Sequence, residues 1–235
     1  MPKPTLFAII IYDLATEIKA SAIGIQLDQN TFLNILLYAD DLLSLLFIVE
    51  TWCKKWRLEI NLSKTNIMHV RGARKKQSNF MFLFDMRPVA YCKDYKYLGA
   101  TINEFLDFNF TTECLADSAG RALSSIVTKM IKNGGFPFNV YSILYEACVT
   151  SICDYSGEVF GYNQHQPTLK LHLRAIRAFL GLPKTSCNVG VLSEVDWVLP
   201  QYRTRMKMIR MFNRIIEMDE NRLTRKIFNW DRQLN

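Results

Sequence analysis

Between residues 4 and 20 apolar side chains recur at every third or fourth position: Leu6, Phe7, Ile10, Ile11, Leu14 and Ile18. That spacing predicts a helix, and Pro4 suits its first turn. A short apolar run, Ile23, Ile25 and Leu27, leads into the turn signal Asp28-Gln29-Asn30. Phe32 to Tyr38 is dense in large apolar residues and predicts a buried strand, with Leu42 to Leu46 as its partner. The intervening Ala39-Asp40-Asp41 has the length of a tight hairpin turn. Ile48, Val49, Trp52 and Trp56 return to helical spacing over 47–56, with Glu50, Lys54 and Lys55 on the other side. Leu58 to Val70 alternates and predicts strand, turn, strand. Arg71 to Asn79 predicts a basic loop, and 80–84 and 89–102 two further strand regions.

From about Thr112 the period stays helical, over 112–132, 139–155, 168–180 and 200–219, with a shorter piece from 222. Gly134, Gly135 and Pro137, then Gly157 and Gly161, then Gly181 and Pro183, then Pro200 punctuate these runs. No internal repeat is evident. The expected class is therefore α+β: a mixed part over 1–110 and an all-helical part over 111–235.

Composition changes this picture little. A chain of 235 residues with 49% hydrophobic and 22% charged residues can build a core and is not of the disordered class. The net charge of +7 favours an acidic partner such as nucleic acid or an anionic surface. The apolar stretch Phe32–Val49 is excluded as a membrane span because Asp40 and Asp41 lie at its centre, each costing a few kcal/mol in lipid. The six cysteines form no C-x-x-C pair and fit free thiols in a reducing compartment.

Asp40 and Asp41 are the sharpest chemical signal. Adjacent carboxylates between buried strands repel each other and lose hydration, so they need a positive partner. A divalent cation, most often Mg²⁺, held by carboxylates and substrate phosphates, fills that role and aligns in-line phosphoryl transfer. An exposed hairpin turn rich in Asp is the competing account.

The segment "YADD" between apolar stretches, residues 38–41, resembles the active-site hairpin of reverse transcriptases. Downstream, Trp52, Cys53 and Trp56 match a W-C-x-x-W helix of the non-LTR (LINE-type) retrotransposon enzymes. Leu58, Asn61, Lys64 and Thr65 match the L-x-x-N-x-x-K-T that follows it. "YKYLGATI", 95–102, resembles the Y-x-Y-L-G strand of the primer-grip hairpin. "PTLFAIIIYDLATEIK", 4–19, is similar to the palm helix ending in N-D-L, with Asp13 at its acid. In the helical half, "DYSGEVFG" resembles Y-G-x-E-x-W-G, with Ser156 and Phe160 replacing two positions, and "RAFLGLP" resembles R-x-x-L-G-L-P.

The resemblance implies an RNA-directed DNA polymerase of a transposable element: a partial palm over 1–110, then a thumb-like and post-polymerase helical region. It implies Asp40 as direct metal ligand with Asp41 as helper, Lys64 near the leaving pyrophosphate, and Tyr38 under the primer terminus. Arg71, Arg74, Lys75 and Lys76 would contact the phosphates of RNA or DNA; a solvated basic face explains them equally well. Mg²⁺ would be the cofactor, dNTP the substrate only of an active enzyme, the compartment nuclear, and no membrane is involved.

Two departures set a further expectation. The upstream aspartate that completes a two-metal site has no counterpart here, and only the ten residues 42–51 separate Asp41 from Trp52. The pattern is that of a truncated and internally shortened polymerase, inactive by itself. The alternatives are a nucleic-acid-binding module without chemistry and a protein-interaction module acting through the helical half.

Overall fold

The computed structural model describes residues 4–21, 25–28, 31–33, 39–162 and 165–234. In chain order the first elements are α1 (Pro4–Ala20), β1 (Ile25–Asp28), β2 (Thr31–Leu33) and α2 (Ala39–Trp56). Six short strands follow: β3 (Asn66–Ile67), β4 (Leu83–Phe84), β5 (Arg87–Pro88), β6 (Ala90–Tyr91), β7 (Asp94–Tyr97) and β8 (Ala100–Asn103). Then come α3 (Phe108–Lys132) and α4 (Phe138–Tyr145), which runs through a π-helical turn, Glu146–Thr150, into α5 (Ser151–Cys153). The chain continues with α6 (Gly157–Phe160), α7 (Gln166–Leu180), α8 (Asn188–Ser193), α9 (Pro200–Glu217) and α10 (Leu223–Leu234). The mixture of helix and small, mainly antiparallel sheets is the α+β class that the pattern implied.

The chain divides into two compact units. The first holds 1–69, 75–92 and 218–235; the second holds 70–74 and 93–217. The change of period near residue 110 marks where strands give way to helices. The packing boundary falls earlier, because the β7–β8 hairpin belongs with α3.

In the first unit, Trp52, Cys53, Phe82, Phe84 and Val89 are buried together, bordered by Leu14, Leu46, Val49, Ile60, Leu62, Ile67 and Tyr91. The expected strand Leu42–Leu46 is corrected: these residues belong to α2, which runs unbroken from Ala39 to Trp56. The reason is local. Leu42, Leu45, Leu46, Val49, Trp52 and Cys53 make one continuous i, i+3, i+4 stripe, and Ala and Leu are strong helix formers. The ten residues from Leu42 to Thr51 are also too few for a strand, a turn and a helix. Of the other expected strand, Phe32 and Leu33 lie on β2, paired with Gln26 and Ile25; residues 34–38 lie outside the described residues.

Leu58 to Val70 yields only the two-residue β3, paired in parallel with β6. The segment is held instead by a turn in which Asn61 Oδ1 accepts from the Ser63 N–H at 3.0 Å and the Asn61 carbonyl from the Lys64 N–H at 3.0 Å. β4 and β5 close a two-residue hairpin through Asp85 and Met86, both at positive φ (49° and 60°). That backbone matches the right-handed twist of the strands it joins.

The second unit is built on α3, the longest described helix. Asp107 caps it, accepting from the Asn109 N–H at 2.9 Å. Leu115, Ala119, Leu123, Ile126 and Met130 form its buried face, against Tyr141, Tyr145, Val149, Cys153, Leu171 and Ala175. Trp197 stacks on Tyr145 with ring centroids 4.2 Å apart and 3° between planes. A smaller cluster of Leu173, Ile176, Val191 and Val195 joins α7 to α8.

Candidate functional site

Asp40 and Asp41 occupy the first turn of α2 rather than the tip of a hairpin. Negative side chains are favoured there by the helix dipole. The side chains of Asp40 and Asp41, and the whole of Tyr38, lie outside the described residues. Among the described residues no three His, Cys, Asp or Glu side chains converge as a metal group.

The W-C-x-x-W segment has a defined partner. The Asp13 carboxylate on α1 accepts from the Trp52 indole N–H at 3.2 Å and from the Trp56 indole N–H at 3.0 Å through the same oxygen. Lys55 Nζ also donates to it at 3.3 Å and to Glu17 at 3.1 Å. The Trp56 and Lys55 hydrogen bonds hold the Asp13 carboxyl below the ordinary carboxylate range. Cys53, between the tryptophans, is buried, and burial raises its thiol.

Lys64 is exposed in the Asn61–Thr65 turn. Arg71 has a different setting from a phosphate-facing arginine. Its Nη2 donates to the Glu104 carboxylate at 2.9 Å, with Glu104 only 7% and Arg71 12% exposed at their side chains. Its guanidinium lies 4.7 Å from the Phe105 ring centroid. The pairing of a half-buried arginine with a buried glutamate links Arg71 to the β8–α3 junction. Arg74, Lys75 and Lys76 are exposed on the following turn.

The Y-x-Y-L-G residues form the β7–β8 hairpin, turning at Leu98 and Gly99 with φ of 47° and 97°. The Tyr155 hydroxyl donates to the Leu98 carbonyl. A Cβ on Gly99 would sit 3.3 Å from the Tyr155 ring, so both the turn and the ring call for glycine here. Ser156 is left-handed, φ 58° and ψ 19°. Phe160 is buried and meets the His165 ring edge-on at 5.5 Å. Gly161 closes α6 against α9: a Cβ there would lie 2.7 Å from Thr204 backbone atoms. In the R-x-x-L-G-L-P stretch, Gly181 ends α7 at φ 67°, returning its N–H to the Arg177 carbonyl.

The sequence reading missed a buried polar cluster around these segments. The Asp154 carboxylate takes Arg203 in a bidentate pair, Nε at 2.7 Å and Nη2 at 3.2 Å, while Lys207 Nζ donates to the Asp154 carbonyl at 2.6 Å. The Tyr145 hydroxyl lies 2.8 Å from His172 Nδ1, and both residues are buried. Burial, then the charge of Arg203, pushes the His172 imidazole down to about 4. Burial, then the Asp154 charge, pushes the Cys153 thiol up to about 12. The Arg203 charge is therefore spent inside the unit, on Asp154. Only the D-Y-S-G-E motif hinted at this, since nothing in the period of α9 distinguishes Arg203 from Arg205. Arg121, Lys170 and Arg174, exposed cations on α3 and α7, were likewise not singled out.

Comparison with protein-family models, with curated proteins and with solved structures finds no match to this chain.

Proposed function

We propose that the chain descends from the reverse transcriptase of a non-LTR retrotransposon, by ancestry an RNA-directed DNA polymerase, and that the residues described here carry no polymerase catalysis themselves. The observation that carries the reading is the meeting of motif residues distant in sequence. Asp13, at the acid of the N-D-L-like helix, is the shared acceptor of Trp52 and Trp56, the two tryptophans of W-C-x-x-W. The same logic holds in the helical unit, where Tyr155 of the D-Y-S-G-E segment holds the turn of Y-x-Y-L-G. Ser156, standing where the family pattern has Gly, has a left-handed backbone that glycine adopts without strain. Motifs that co-occur by accident have no reason to be one another's packing partners.

Inactivity is supported by α2. Palm chemistry requires Asp40 and Asp41 at a hairpin tip beside a third carboxylate, and here the pair begins a helix. Mg²⁺ and dNTP belong to this reading only if Asp40 and Asp41 come to sit at such a hairpin tip. The remaining role is binding RNA or DNA without chemistry, in keeping with the net charge of +7. The test is primer extension on an RNA template with Mg²⁺, using the whole chain beside Asp40→Ala/Asp41→Ala and Lys64→Ala. No extension by any of the three is expected. Extension that disappears in the double variant would overturn the claim of inactivity and restore the hairpin.

A further inference from the structure

Outside every motif discussed above, α3 and α7 border a groove of about 550 Å³. Its size is that of a ligand site. Arg121 on α3 and Lys170 and Arg174 on α7 line it, and all three are exposed. None of the three forms an ion pair with an acid among the described residues. One carboxylate, Asp117, also lines the groove, so the lining keeps an excess of positive charge.

The cations are partly pre-positioned. Arg174 Nη2 donates to Ser124 Oγ at 2.8 Å, and Arg121 Nη2 donates to Ser118 Oγ at 3.0 Å. The floor is kept low by Gly120, over which the Arg174 guanidinium lies: a Cβ there would stand 3.7 Å from Arg174 Nη1. Lys170 and Arg174 are four residues apart on one helix face, about 6 Å along the axis. The lining contains no aromatic side chain, so the groove has no platform on which a base could stack.

We propose that this groove binds a run of phosphates, read by charge and not by bases. Two guanidinium groups that form no ion pair among the described residues, and an ammonium, suit phosphate oxygens. The lack of a stacking surface disfavours a nucleotide bound through its base. The phosphates come either from a nucleic-acid backbone or from a free polyphosphate. The first source rests on the function proposed above; the groove itself does not.

The test is fluorescence anisotropy of the whole chain with a labelled RNA–DNA duplex over a salt series. Inorganic polyphosphate and a poly-glutamate peptide serve as competitors. The variants are Arg121→Ala/Lys170→Ala/Arg174→Ala, the charge-retaining Lys170→Arg, and Arg74→Ala/Lys75→Ala/Lys76→Ala as a comparison. All of the altered side chains are exposed, and circular dichroism verifies that each variant is folded. The groove triple variant is expected to weaken binding about a hundredfold at 0.1 M salt. It should also lower the slope of log K against log salt by between two and three, at about 0.9 per neutralised phosphate. Lys170→Arg should keep both. Polyphosphate binding that is lost in the triple variant, without duplex binding, would uphold the groove and overturn the nucleic-acid role. An unchanged slope in the triple variant, or competition by poly-glutamate as strong as by polyphosphate, would overturn the groove as a phosphate site.

Discussion

His172 and Asp154 show how single residues commit the helical unit. His172 is fully buried, its Nδ1 beside the Tyr145 hydroxyl and its Nε2 without a hydrogen-bond partner among the described residues. Its folded value of about 4 lies below the ordinary 6.5, so between those values the unfolded chain binds a proton that the folded chain refuses. Stability is therefore complete above pH 6.5 and falls as pH drops towards 4, by roughly 3 kcal/mol at most. Urea melts of the wild type and His172→Phe at pH 7.5 and 5 test this: the wild type should lose stability on acidification, and the variant should lose less. Asp154 is the other case. Asp154→Asn leaves the Arg203 guanidinium facing a neutral amide in a site where the carboxylate was only 6% exposed. A loss of roughly 3 kcal/mol is expected, since an uncompensated buried charge costs more than the pair contributed. A denaturation midpoint indistinguishable from wild type would show that Arg203 has another route to water.

Gly161 and Gly120 each stand where one element meets another, with opposite consequences. Gly161 ends α6 where it touches α9, and a Cβ would come within 2.6 Å of the Gly157 carbonyl oxygen and 2.7 Å of Thr204 backbone atoms. Backbone has no rotamer to escape through, so Gly161→Ala should cost about 2 kcal/mol or more. Gly120, inside α3, would meet only a flexible arginine end and a leucine methyl at 3.7 Å and 3.8 Å. Gly120→Ala should therefore stabilise the helix by about 0.5–1 kcal/mol. Thermal melts of the two variants check both signs, and equal shifts would refute the packing argument. The longer helices are legible in the sequence, because α3 and α7 bury one face at regular spacing. α2 was misread at its start because a short apolar run does not by itself distinguish strand from helix. The strands of 58–103 were read too long, because pairs only two to four residues in length leave little alternation to detect.

At the scale of the whole molecule, each compact unit has its own buried cluster. Trp197 belongs to the helical unit, and Trp52, Trp56 and Trp230 to the other. Acidification from pH 7.5 to 5 should move the unfolding reported by Trp197 and leave that reported by Trp52 and Trp56 in place. Emission from single-tryptophan variants follows each separately, and parallel shifts would show that the chain unfolds as one. Among the described residues no helix is long and apolar enough to cross a membrane. Of the stretch Phe32–Val49, Phe32 and Leu33 lie on β2 and the residues from Ala39 on α2.

By itself the sequence determined the α+β class, the longer helices after residue 110 though not the short α6 and α8, and the motifs on which the proposed descent rests. These are local properties: periodicity, caps and breakers act within a few residues of one another. Tertiary structure alone decided which residues meet. It brought Asp13 to two tryptophans about forty positions away, enclosed Arg71 with Glu104 and Arg203 with Asp154, and set Lys170 and Arg174 across a groove from Arg121. An arginine on a helix reads the same in sequence whether it faces water or a buried carboxylate. The difference lies in long-range packing, which no short window of residues contains.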